Sequence, residues 1–127
     1  MEMAFRALLT GSASVTALVP SSRISWGMLG QGLGLPAIVL TVVSDREGHT
    51  LEGPDGLSMG RVQVDCYGVT YASAKGVARA VRALLDGYRG GSFRAIFHDA
   101  TRDFTDANAT DRPHRVSLDF LTNWRQT

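Results

Sequence analysis

Between Met59 and Gly87 the apolar residues change period, and that change restricts the fold more than anything else in the chain. Val62, Val64 and Cys66 alternate with Arg61, Gln63, Asp65 and Tyr67, the two-residue period of a strand buried on one side. From Ala72 onward the period lengthens. Ala74, Val77, Ala78, Val81, Leu84 and Leu85 make one helical stripe, opposite Lys75, Arg79, Arg82 and Asp86. Thr70 stands where an N-cap hydroxyl accepts an orphan amide, and Gly87 where a helix ends in the left-handed region. A strand feeding an amphipathic helix buries both apolar surfaces when the helix folds back across the strand. This unit is the expected core.

Other segments attach to it. Residues 2–10 read as a short helix with Phe5, Leu8 and Leu9 on one side, ended by Gly11. Ser12 caps a further turn or two carrying Val15, Leu18 and Val19, which Pro20 stops. Arg23–Gly27 reads as a short strand. Pro36–Ser44 is the most hydrophobic stretch and is rich in β-branched residues, with two apolar faces. It is expected to be covered on both sides, or on one side by another copy of the chain. Residues 45–58 carry both charge signs, three glycines and a proline, and read as an extended hairpin tip or a surface loop. Tyr88–Gly91 reads as a turn. Ser92–His98 alternates, with Phe93, Ala95 and Phe97 opposite Arg94, Ile96 and His98. Asp99–Asp111 reads as a polar connection, and Pro113–Trp124 as a last strand with Val116, Leu118, Phe120, Thr122 and Trp124 on one side. The expectation is a single α+β domain over residues 1–127. It has one mainly antiparallel sheet, with one long and one or two short helices packed on one face.

Composition bounds the function. A chain of 127 residues with a formal charge of +1 can bury a core, and it has neither a strongly basic nucleic-acid surface nor an acidic tail. The single cysteine, Cys66, excludes an internal disulfide and falls on an apolar strand face, where a thiol behaves as a small hydrophobe. No apolar run approaches a membrane span, and the N-terminus lacks a signal peptide's basic start and apolar region. A soluble chain made in the cytoplasm is expected.

Little in the sequence points to chemistry. Gly27–Gly34 holds four glycines, but Leu35-Pro36 follows where a phosphate loop requires a helix, so a connection is expected. His98-Asp99 suggests a metal phosphohydrolase with His49, His114 or Asp111 as further ligands, at spacings typical of no metal motif. The aspartates between Asp99 and Asp111 lack the alternate spacing and central glycine of a calcium loop. The cationic face Lys75, Arg79, Arg82 and Arg89 lacks the interleaved aromatics of a single-strand binder. No catalytic residue, metal or cofactor is assigned. A small enzyme or ligand-binding module centred on His98-Asp99 stands as the alternative function.

The short opening helices, Arg23-Ile24, Leu35–Val39, Val62–Gly68, the small-residue helix from Ala72-Ser-Ala-Lys75, and Ser117–Leu121 follow one another as in a known family. In that order the chain resembles the tail-completion or tail terminator proteins of long-tailed bacteriophages and gene transfer agents. The resemblance implies a structural virion protein of the tail or neck, assembled in the host cytoplasm. It implies a ring, a hexamer in such families, that caps the tail tube and meets the head–tail connector or neck protein. DNA passes through the lumen without specific binding, and no membrane is involved. On this reading the contact loop for tube or connector comprises Arg46, Glu47, His49, Glu52 and Asp55. The ring interface comprises Trp26, Val39, Thr41 and Val43.

Overall fold

A computed structural model describes residues 2–27, 35–50, 53–104 and 114–125. The elements are α1 (Glu2–Thr10), α2 (Ala13–Thr16), a 3-10 turn (Ser21–Arg23), β1 (Ile24–Trp26), β2 (Ala37–Thr50), β3 (Gly53–Gly68), α3 (Tyr71–Leu85), β4 (Tyr88–Gly90), β5 (Phe93–Phe104) and β6 (His114–Arg125). One six-stranded sheet runs in the order β1-β2-β3-β6-β5-β4. Four of its five pairings are antiparallel, and β1 joins β2 in parallel, so the sheet is mixed.

The period change at the centre of the chain appears as expected. Val62, Val64 and Cys66 of β3 and Val116, Leu118 and Phe120 of β6 form one buried surface beneath Ala74, Val77, Ala78, Val81 and Leu85 of α3. Thr70 caps α3 by accepting the Ser73 amide at 3.1 Å. Gly87 follows α3 with φ +81°, a conformation open to glycine without steric cost, and its amide donates to the Ile96 carbonyl at 2.7 Å. Gly68 is confined for a different reason. A Cβ there would lie 2.5 Å from the Ala74 amide nitrogen, so strand and helix meet with no side chain between them.

Phe5, Leu9, Val15 and Val19 from α1 and α2 join the same buried cluster. Aromatic rings close its lower end: Phe5 lies 6.1 Å from Trp26 and 6.2 Å from Phe93, and Phe93 lies 4.7 Å from Trp124 edge-on. All three helices therefore cover one face. Among the described residues the other face of the sheet carries no helix.

Of the two readings of residues 45–58 the extended hairpin tip holds, since β2 and β3 continue pairing until Thr50 lies opposite Gly53. Three expectations change. Tyr88–Gly90 is a short strand on β5 rather than a turn. Asp99–Phe104 belongs to β5 rather than to a polar connection. Finally, the simple alternation of Ser92–His98 fails at a register shift between Phe93 and Ala95. The extra residue, Arg94, resets the pleat, so Phe93 and Ile96 are both buried while Phe97 turns to the helix-free face. The Gly27–Gly34 connection lies largely outside the described residues.

Candidate assembly surface

The helix-free face is built from the alternate residues of the same central strands. Its middle is polar and unexpectedly dry. The Ser117 hydroxyl donates to Asp65, which also accepts from Gln63 Nε2 at 3.0 and 3.1 Å. Arg102 donates to Gln63 Oε1 and Asp119, each at 3.3 Å. Arg61 links Asp119 at 3.3 Å to Asp99 at 2.8 Å. Asp65, Ser117 and Asp119 are buried although no described helix covers them, with Gln63, Arg61 and Arg102 bonded to them. Buried polar groups are tolerated only when bonded, and this chain of contacts supplies the partners.

Toward the hairpin end the face turns apolar. Val43, Met59, Phe97 and Leu121 are 52%, 60%, 44% and 39% exposed. Phe97 lies opposite Leu121 in the β5–β6 register, and Leu121 opposite Arg61 in the β3–β6 register. An open groove of about 220 Å³ runs here, lined by Arg46, Met59, Arg61, Phe97 and Leu121 among others. It is a shallow surface rather than an enclosed site.

His98 and Asp99 do not combine into a site. The His98 ring packs edge-on to Phe120 at 5.7 Å on the helix side, and its Nε2 lies 2.7 Å from the Thr101 hydroxyl. Asp99 turns the other way, to Arg61. His114 lies at the start of β6 beside Tyr71, with ring centroids 6.4 Å apart. The His49 side chain and Asp111 lie outside what is described. Among the described residues no three His, Cys, Asp or Glu side chains gather as a metal would require. The Cys66 thiol is pushed far up by burial, and further by the nearby Asp65 charge, so it stays protonated and unreactive.

Two comparisons with known proteins bear on these surfaces. The family model described as tail completion protein gp17 matches residues 3–123. The chain belongs to this tail completion family. It is a structural protein of the virion tail. A chain of a solved structure titled "Virion of native gene transfer agent (GTA) particle" has the same fold, with a TM-score of 0.72. That match covers 95% of this chain and 91% of the other at 18% identity. No curated protein matches the sequence.

In this tail completion protein the residues singled out from the sequence are, where described, spread over β1, β2 and β3. Trp26 is half-buried against Phe5, and Val39 is buried in the sheet, so both are largely covered within one copy. Thr41 and Val43 are exposed on β2 beyond the end of β1, with Val43 at a register shift between Val42 and Ser44. Arg46 is exposed and lines the groove. Glu47 and His49 belong to β2 and Asp55 to β3, while Glu52 lies outside the described residues. The sequence reading missed Phe97 and Leu121. Leu121 was readable as an apolar residue on the polar side of the β6 alternation.

On the helix side, Asp103 of β5 accepts from Tyr71 at 2.7 Å and from Lys75 at 3.0 Å. The Tyr71 hydroxyl and then Lys75 hold the Asp103 carboxyl below its ordinary range, and Asp103 raises the Lys75 ammonium above its own. This exposed cluster ties the start of α3 to the far end of β5.

Proposed function

We propose that this tail completion protein is the tail terminator, working through surfaces rather than by catalysis. Copies join head to tail into a ring, of six on the family pattern. The ring caps the tail tube and meets the connector on the head side. A repeating head-to-tail contact closes into a ring when its rotation closes. The observation that carries the reading is the uncovered apolar patch of Met59, Phe97 and Leu121 beside the projecting β2–β3 hairpin. Such a patch on a soluble chain marks a surface that a partner covers. Patch and hairpin lie at one end of the sheet, which supports reading that end as the docking end for tube or connector, through Arg46, Glu47, His49, Glu52 and Asp55. The ring contact runs along the β2 side, where Thr41 and Val43 are exposed next to Val39 of the same strand and Trp26 of β1. DNA passes through the lumen without a specific site, in keeping with the near-balanced charge of +1.

Native mass spectrometry of the purified protein, alone and with its tube protein, tests this. A closed oligomer with six copies is expected. A chain that stays monomeric at high concentration in both samples overturns the proposal. Deleting the gene should leave particles with tails of uncontrolled length or without heads.

A further inference from the structure

The two edges of the sheet are covered only in part, and at opposite corners. β1 reaches β2 only at residues 38–40, so from Thr41 to Thr50 no described strand lies outside β2. β4 reaches β5 only between Phe93 and Ile96, so from Phe97 to Phe104 none lies outside β5. Register shifts at Val42/Ser44 and at His98/Ala100 stand near the start of each bare stretch. Uncovered strand edges are templates for pairing unless something blocks them.

Direction, hydrogen-bond phase, side-chain face and charge all bear on how these edges fit. β2 is antiparallel to β3, β3 to β6, and β6 to β5, so β2 and β5 run in opposite directions. A head-to-tail repeat therefore sets β2 of one copy antiparallel to β5 of the next. The Leu40 carbonyl accepts from Gly27 at 2.8 Å and the Ile96 carbonyl from Gly87 at 2.7 Å, which fixes the residues that turn their backbone outward. Carrying that alternation past the two bulges makes Asp45 outward on β2, and Thr101 and Asp103 outward on β5. These three side chains lie on the helix side, while Arg46 and Arg102 lie on the helix-free side.

Two registers satisfy phase and face together. One sets Asp45 against Asp103 and Arg46 against Arg102, which puts like charges directly opposite and is unfavourable. The other sets Asp45 against Thr101, Arg46 against Ala100 and Ser44 against Arg102. Its geometry is also reasonable. Asp45 is level with Gly60, and Thr101, through Leu118, is level with Val64, four residues along β3. At about 3.4 Å per residue the offset between copies is roughly 14 Å. The four long strands, about 4.8 Å apart, make a repeat roughly 19 Å wide. The resulting slope is about 36°, within the tilt at which sheets close on themselves.

We infer that neighbouring copies join by pairing the bare edge of β2 around Asp45 with the bare edge of β5 around Thr101, so that one tilted sheet runs unbroken from copy to copy. The inference rests on the proposed ring and supplies its contact. β1 and β4 act as stops, each ending where the neighbour's strand begins.

Paired cysteines test the register. Arg46→Cys with Ala100→Cys should give, on mild oxidation, a ladder of covalent oligomers, whereas Arg46→Cys with Arg102→Cys should not. Within one copy Arg46 and Ala100 are three strand spacings apart across the sheet and four residues apart along it, roughly 20 Å in all, too far for a disulfide, so any cross-link joins two copies. Thr101→Pro removes an outward amide that the copy's own ladder does not use, and an edge strand tolerates proline. This variant should fold by circular dichroism yet run as a monomer. If it fails to fold, the cysteine pairs decide. An Arg46–Ala100 pair that does not cross-link in protein that still assembles, or preferential cross-linking of the Arg46–Arg102 pair, overturns the inference and leaves the ring. A wild-type chain that never assembles overturns the ring itself.

Discussion

The two faces of this sheet are made from the same strands and solve opposite problems. On the helix side Val62, Val64, Cys66, Val116, Leu118 and Phe120 are buried beneath α3, and every one is apolar. On the other side their sequence neighbours make a bonded polar centre, Asp65, Gln63, Ser117, Asp119 and two arginines, beside an apolar end left uncovered. One face holds the copy together. The other is stable enough to exist uncovered and still offers greasy area to a partner.

That contrast can be broken from either side. Phe120→Ala should have the largest effect, about 3–5 kcal/mol lost in a urea titration, because the ring is fully buried under α3 and its removal leaves a cavity there. A loss below about 1 kcal/mol would mean that the helix layer does not seal this face. Asp65→Ala comes next. It leaves the buried Ser117 hydroxyl without its acceptor, at a cost of about 1–3 kcal/mol by the same titration. Thr70→Ala should cost about 1 kcal/mol by removing the cap on the Ser73 amide, with Thr70→Ser restoring it.

The outward face should respond in the reverse sense. Phe97→Ser with Leu121→Ser should shift stability by only about 0.5 kcal/mol at each position, since both are exposed, while weakening capture of the tube or connector partner in a pull-down. Unchanged capture would remove the patch from the docking surface. The smallest effect is one of pH. Asp103 has a lowered pKa, so its contribution is present above the ordinary carboxylate value near 3.9 and is lost as pH falls below it. Asp103→Asn should flatten the acid limb of a thermal-melt pH series slightly, and should leave neutral pH nearly unchanged because the pair is exposed.

Much of the helix-covered face can be read from the chain. The strand-to-helix period change, the Thr70 cap and the β6 alternation are local signals, and each corresponds to an observed element. What lies beyond them is set by long-range pairing. An inserted residue such as Arg94 leaves no mark on composition, yet it sends Phe97 to the opposite face. Strand propensity is weak in the polar, glycine-containing residues 45–58, so the chain leaves hairpin tip and surface loop both open, and only the ladder decides for the hairpin. The surfaces were harder still. That Thr41 and Val43 are exposed while Trp26 and Val39 are not depends on where β1 happens to stop, and no single segment records that.

The joint at Gly68 leaves no room for a side chain between strand and helix. With its place above the Ala74 amide already filled, the approach of β3 to the first turn of α3 is set here by backbone against backbone, not by side chains that can change rotamer. A methyl group there would act as a wedge, prising the long helix away from the strands at the end where the chain passes from one layer to the other.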